Sequence, residues 1–185
     1  DTDLEVVLVG PEDVVGDFCR THDRCEPCVA TEVIGMGEHP ANAVRVKKDS
    51  SIVVGCRLVK EGRADGFFSA GSTGACLAAA VRVIGRIKGV RRPALTTIIP
   101  SPEKPVVMAD VGANADCKPE YLVQFAQMAV IYARRIIHIA DPRVALLNIG
   151  SEPTKGSQFY QETHGLLRAQ VPEFAGNGEG NDIIP

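Results

Sequence analysis

Along this chain, short runs of aliphatic and β-branched residues alternate with longer stretches in which apolar positions recur every three or four residues. Leu4-Glu5-Val6-Val7-Leu8-Val9 reads as a strand closed by Gly10-Pro11. A short helix over about 12–22 and a second strand around Val29–Ile34 follow. Helical periodicity covers about 40–61 and stops at Glu61-Gly62. Gly66–Ser69 is read as a short buried strand and Ser72–Ile84 as a helix of small residues. Ala94–Ile99 and Pro105–Asp110 are two strands joined by Pro100-Ser101-Pro102-Glu103-Lys104, a segment rich in turn formers.

The strongest helical signal is Pro119–Ile139. Proline suits the first helical position, and Leu122, Phe125, Met128/Ala129, Tyr132 and Ile136 recur on one face. Arg134, Arg135 and His138 stand in its last turns, where cations complement the helix dipole. Val144–Ile149 is another buried strand, and the chain after about residue 171 is expected to be loop. Strands separated by helices imply an α/β fold with a mostly parallel sheet covered on both faces, a three-layer αβα arrangement. Residues 1–185 are expected to form a single α/β domain. Because the chain opens at Asp1 almost directly into a strand and stops at Pro185 without a closing element, it is expected to be a fragment lacking both ends of a longer protein.

Composition narrows the classes. A chain of 185 residues can bury a core, and 45% hydrophobic with 23% charged residues is a globular mix. A net charge of −3 argues against bulk attraction to nucleic acid, and the absence of Trp with 5% aromatics argues against base stacking. No apolar run reaches the roughly 18–20 residues of a membrane-spanning helix, and no basic-then-apolar signal segment opens the sequence. Cys19, Cys25, Cys28, Cys56, Cys76 and Cys117 lie in Ala/Val/Gly-rich segments and read as reduced thiols, Cys56 and Cys76 as small buried hydrophobes. His22-x-x-Cys25-x-x-Cys28, with Cys19 nearby, is either a zinc cluster or a variable loop; no second paired motif accompanies it.

Candidate chemistry gathers at four places. Ser69-Ala70-Gly71-Ser72-Thr73-Gly74 combines close-approach glycines with a helix start whose free N–H groups favour an anion; a plain hydroxyl cap gives the same pattern. Asp110-Val111-Gly112-Ala113-Asn114 leaves a buried strand and can orient a ligand or form an Asx-type turn. Asn148-Ile149-Gly150-Ser151-Glu152, followed by Lys155-Gly156, presents a lysine to an anion or forms a solvated turn; its residue order is not that of a P-loop. Arg45-x-Lys47-Lys48-Asp49-Ser50-Ser51 is an anion clamp or an exposed helix end with a serine cap. Separately, Gly66–Pro102 holds Arg82, Arg86, Lys88, Arg91 and Arg92 and no acidic residue, which fits a solvated face or a landing site for an acidic partner. No Gly-x-Ser-x-Gly elbow, HExxH or GxGxxG after a strand occurs, and His22, His39, His138 and His164 belong to no nucleophile motif.

Six motifs occur in a fixed order: Arg45-x-Lys47-Lys48-Asp49-Ser50-Ser51, Ser69-Ala70-Gly71-Ser72-Thr73-Gly74-Ala75, Arg92-Pro93-Ala94-Leu95, Asp110-Val111-Gly112-Ala113-Asn114, Leu146-Leu147-Asn148-Ile149-Gly150 and Phe174-x-Gly176-Asn177-x-Glu179-Gly180. Together they make the chain resemble the bacterial phosphate acyltransferases of phospholipid synthesis, the PlsX family. The resemblance spans essentially the whole chain. It implies a fold related to isocitrate and isopropylmalate dehydrogenases, a cytoplasmic homodimer loosely associated with the inner face of the membrane, and no cofactor or metal. The implied reaction is transfer of a fatty acyl group from acyl carrier protein to inorganic phosphate, giving acyl phosphate. Ser72 stands where the family has Asn, and the family's opening Asp-Ala-Met-Gly-Gly-Asp and later Asp-Gly-Phe-x-Gly-Asn motifs are absent.

On this resemblance, the expected roles fall to named residues. Lys47, Asp110, Asn114 and Asn148 are expected to be catalytic. Arg45, Ser50, Ser51, Ser69, Gly71, Ser72, Thr73, Gly74, Gly112, Gly150 and Lys155 are expected to bind phosphate or substrate. Arg82, Arg86, Lys88, Arg91 and Arg92 would dock the acidic carrier. A dehydrogenase of the same fold, or a non-catalytic module binding carrier protein or phosphate, remains compatible with the residues, although no obvious Asp pair offers the metal site such a dehydrogenase needs.

Overall fold

The computed structural model describes residues 3–102 and 104–183. The chain divides into two compact units, Asp1–Arg86 and Ile87–Pro185.

In the first unit, β1 (Val6–Gly10) pairs in parallel with β2 (Cys25–Val29), Val6 facing Cys25 and Gly10 facing Val29. The crossover is α1 (Glu12–Thr21), with Glu12 and Asp13 in its first turn, Arg20 in its last, and Val15 buried. The second strand therefore lies earlier than Val29–Ile34. Cys25-Glu26-Pro27-Cys28-Val29 has little strand propensity of its own, and pairing with the Val-rich β1 sets its position.

The stretch 40–61 is two helices, α2 (Pro40–Val46) and α3 (Ser51–Lys60). Local bonds break it: Ser50 Oγ donates to the Lys47 carbonyl at 2.9 Å, and Asp49 Oδ2 accepts from the Thr31 N–H at 2.9 Å. Residues 66–69 are irregular, four residues with no strand to pair with. Then α4 (Thr73–Ala79) runs into a π-helical turn, Ala80–Ile84, ended by Gly85 at φ 97°. Ile34, Ala43, Val44, Ile52, Val53, Cys56, Ala75 and Ala79 form the core of this unit. Small residues let the helices close up: a Cβ on Gly74 would stand 2.8 Å from Pro40 Cγ, and one on Gly55 2.2 Å from Phe67 Cε2.

In the second unit, β3 (Thr96–Ile99) and β4 (Val106–Ala109) form an antiparallel hairpin. Helix α5 (Pro119–Arg135) begins with the proline and packs on α6 (Gln158–Gln170). α6 connects the parallel strands β5 (Val144–Leu147) and β6 (Phe174–Gly178), a helix beyond those that the hydrophobic pattern predicts. β6 falls where loop was expected; Phe174-Ala175-Gly176-Asn177-Gly178 is a strand because β5 supplies its partners. Val123, Leu146, Leu167 and Val171 are the centre of this core. The α/β class holds, and among the described residues the strands make three two-stranded sheets, two parallel and one antiparallel. No helix of the described residues is long and apolar enough to cross a membrane.

Candidate functional site

In the first unit, the Ser69–Gly74 loop leads into α4. Ser72 is its N-cap, accepting from the Ala75 N–H at 3.3 Å. Thr73 and Gly74 open the helix, in the turn whose N–H groups have no acceptor within it. Ser69 Oγ meets Gly71 twice at 3.3 Å, accepting from its N–H and donating to its carbonyl. Gly71 has φ 138°, and a Cβ there would stand 3.2 Å from Met36 Sδ, so the Met36 side chain lies against this loop.

Lys47 belongs to the same unit. At the end of α2 its Nζ donates to the Val33 carbonyl at 2.7 Å and to Glu38 Oε1 at 2.6 Å. That carboxylate also accepts from the Gly35 N–H at 2.6 Å. The Lys47 hydrogen bond first, then the Gly35 N–H, hold Glu38 below the usual carboxylate range. Lysine and loop are thus held within one unit, with a counter-ion on the lysine that sequence reasoning missed. Glu38 lies nine positions before Lys47 in a Gly-Met-Gly-Glu run that carries no motif; only the flanking glycines hint at a tight turn.

The neighbouring candidates are placed differently. Arg45 bonds Asn42 Oδ1 at 2.8 Å on its own helix. Ser50 is fully buried, and Ser51 is the first residue of α3. His22 stacks on Phe18 with centroids 3.8 Å apart, and Cys25 and Cys28 point to opposite faces of β2. Cys25 Sγ instead lies 2.6 Å from Cys19 Sγ, and desolvation together with that neighbour pushes the Cys19 thiol up to about 11. All six cysteines are free, and among the described residues no group of three or more His, Cys, Asp or Glu is placed to hold a metal.

In the second unit, Asp110 sits just beyond β4 and is saturated. Oδ1 accepts from Leu95 N at 2.7 Å and Ala113 N at 3.2 Å; Oδ2 accepts from Asn114 N at 2.8 Å and Asn114 Nδ2 at 3.0 Å. Asn114 Nδ2 also reaches the Pro93 carbonyl at 2.9 Å. Desolvation works to raise the Asp110 pKa, but the hydrogen bonds from Asn114, Leu95 and Ala113 outweigh it and leave it lowered. Gly112, at φ 99°, makes the turn between them.

The third loop is closed on itself. Asn148 Nδ2 donates to the Lys155 carbonyl at 3.1 Å, and Gln161 Nε2 to the Thr154 carbonyl at 2.8 Å. Asn177 Nδ2 donates to the Glu152 carbonyl at 2.8 Å. A Cβ on Gly150 would stand 2.8 Å from Lys155 Cγ, and Lys155 Nζ is 3.8 Å from Glu152 Oε2. In the basic run, Arg82 and Arg86 belong to the first unit and Lys88, Arg91 and Arg92 to the second, all exposed. Arg92 lies 5.9 Å over the Tyr121 ring, and Gln124 pins the Gly89–Arg91 turn to α5 through two bonds.

Comparison with known proteins places the chain in a family. Residues 1–185 match the family described as fatty acid synthesis protein. The "Phosphate acyltransferase" of Desulfitobacterium hafniense (strain Y51) is 52% identical over 184 residues, covering 98% of this chain and 55% of that protein. That of Heliobacterium modesticaldum (strain ATCC 51547 / Ice1) is 49% identical over 186 residues, covering 98% and 56%. The chain thus spans about half the length of these curated relatives. Among solved structures, the EutD phosphotransacetylase from Staphylococcus aureus superposes with TM-score 0.50 at 17% identity, covering 98% of this chain and 68% of that one, a likeness of fold alone. With its full length matched and half of its residues identical to those of such relatives, the chain belongs to the fatty acid synthesis protein family.

Proposed function

We propose that this chain carries out the phosphate side of an acyl transfer, in which a fatty acyl group passes from acyl carrier protein to inorganic phosphate. The observation that carries the reading is the Ser69–Gly74 loop, a hydroxyl- and glycine-lined helix start, in the same unit as the Lys47 ammonium group. The printed name of the relatives, phosphate acyltransferase, supports the same chemistry.

Hydrogen phosphate is already a competent nucleophile near neutral pH, so it needs placement more than deprotonation. Ser69, Gly71, Ser72, Thr73 and Gly74 offer hydroxyls and N–H groups to it, and Lys47 supplies charge once phosphate competes with Glu38. Ser50 holds that end of α2 by donating to the Lys47 carbonyl, and Arg45 and Ser51 are proposed as further anion contacts. Attack on the thioester carbonyl forms a C–O bond; collapse of the tetrahedral intermediate breaks the C–S bond, and the phosphate's proton ends on the departing thiolate. Asp110, Asn114 and Asn148 are proposed to orient their loops or donate to the developing oxyanion, and Gly112, Gly150 and Lys155 to contribute to substrate binding. Phe68 and Met36, 93% and 75% exposed beside the loop, offer apolar surface to an acyl chain. The basic run Arg82–Arg92 is the docking surface for the acidic carrier. We further place the chain in a single domain of the isocitrate/isopropylmalate dehydrogenase type, in a cytoplasmic homodimer with peripheral membrane contact.

The test is acyl phosphate formation from palmitoyl-acyl carrier protein and phosphate, by this chain and by one extended at both ends with a relative's segments. Product from either, formed roughly a hundredfold more slowly on Lys47→Met, is the expected result. No product from either folded protein would overturn the reading.

A further inference from the structure

The pair β5–β6 carries a second polar site that the acyl-transfer reading does not use. A cavity of about 230 Å³ is lined by Ser151 from the loop after β5, His164 and Arg168 from α6, and Phe174, Ala175 and Gly176 from β6. Gly150 and Lys155 are not among its lining residues.

Its geometry follows from two local features. His164 and Arg168 are four residues apart on α6, hence on one face. The register of β5 against β6 slips after Val144: Val144 faces Phe174, but Ala145 faces Gly176, so Ala175 is a bulge residue, and Gly176 has φ 122°. A bulge re-aims the strand, and the cavity opens where it does so.

The donors in this cavity are not engaged elsewhere. His164 is only 7% exposed and meets the Phe174 ring edge-on at 5.1 Å. Among the described residues its ring nitrogens have no hydrogen-bond partner, and the Arg168 guanidinium has no ion pair. These groups open onto the cavity with hydrogen-bonding capacity to spare, which a ligand or ordered water can take up.

The neighbouring carboxylates do not fill the role. Glu173 is tied to Arg134 at 2.9 Å, and Glu152 points to Lys155. Glu162 is exposed and two residues from His164, on a different face of α6. What remains is a guanidinium fork, an imidazole and a hydroxyl around a space of about 230 Å³.

We infer that this cavity binds a small oxyanion, a phosphate or carboxylate group, held by Arg168, His164 and Ser151. The inference does not rest on acyl transfer, and its failure is separable from the failure of that reading.

The experiment is an NMR titration of this chain with inorganic phosphate and, in a second arm, acetate. It follows the His164 ring nitrogens, the Arg168 Nε–H and the backbone of Ser69–Gly74. Saturable shifts at His164 and Arg168 with either probe are expected, and the probe that saturates at lower concentration names the anion. Arg168→Gln, at an exposed position that spares the fold, should raise the Kd read at His164 about tenfold, the loss of a charged hydrogen bond. Lys47→Met should leave the His164 response intact while removing any phosphate response at Ser72. Unmoved His164 and Arg168 signals with both probes, or a His164 Kd unchanged by Arg168→Gln, would overturn the inference.

Discussion

The loops Ser69–Gly74 and Asp110–Asn114 look alike as strings of small polar residues and glycine, yet their polar groups are engaged in opposite ways. Asp110 is held by four donors at 2.7–3.2 Å, all within its own loop and the adjoining β3 approach. Ser69 and Ser72 make only bonds of 3.3 Å, and Lys47 in the same unit holds its counter-ion on a partly exposed side chain. A saturated carboxylate has nothing left for a ligand and serves the fold. Loosely engaged hydroxyls at a helix start retain capacity. The degree of satisfaction, more than residue type, separates scaffold from site.

Removing the saturated group is the hardest test of that contrast. Asp110→Ala strands the N–H groups of Leu95, Ala113 and Asn114 together and should cost about 3 kcal/mol. Ser69→Ala should change stability by less than about 1 kcal/mol, since its bonds are long and its loop is partly exposed. Urea unfolding of both variants decides it; a larger loss for Ser69→Ala would break the comparison.

Next in size is Lys47→Met. The ion pair with Glu38 is about a third exposed on each side, so the fold should barely notice its loss. Acyl phosphate formation should fall roughly a hundredfold, as when one preorganised charged donor is removed from a reacting centre. Lys47→Arg should restore part of it. Equal activity in wild type and Lys47→Met would move the phosphate site away from this unit.

What could be read from sequence follows the same line between local and distant causes. The strand at β1, the hairpin strands and the start of α5 at Pro119 were legible because propensity, proline and periodicity all act locally. The position of β2 and the existence of β6 were not, because Cys25–Val29 and Phe174–Gly178 are strands only through their partners. The break at Lys47–Ser50 was hidden because Asp49 is held by Thr31, eighteen residues away. Likewise the serine-glycine loop announced itself, but its relation to Met36 and the Glu38–Lys47 pair arises only when α2 packs on α4.

The glycines sharpen the comparison at smaller scale. At Gly74 an alanine Cβ would stand 2.8 Å from the Pro40 ring, which cannot swing aside as a flexible chain end can. Gly74→Ala should therefore cost about 2 kcal/mol by overpacking α4 against α2. Gly112 has open space around it but φ 99°, so Gly112→Ala should cost about 1 kcal/mol, from backbone strain alone. Only the first should also weaken phosphate binding, measured by calorimetric titration.

The smallest effect separates two carboxylates whose pKa values are both lowered. A depressed folded-state pKa means that Asp110 contributes stability above its unfolded value, near 3.9, and loses it as pH falls through the folded one. Stability of wild type over Asp110→Asn should therefore be constant from about pH 5 upward and shrink below about pH 4. Glu38 has the same sign, but its cause is an exchangeable partner, Lys47. Saturating phosphate should draw Lys47 away and set a dianion nearby, and both changes raise the Glu38 pKa toward its ordinary range. Asp110, bonded to its own loop, should titrate as before. Carbon-detected NMR of the side-chain carboxyls, with and without phosphate, reads both groups in one sample. A Glu38 titration indifferent to phosphate would mean that its lysine is held no less firmly than Asp110, and the distinction between the two loops would fall.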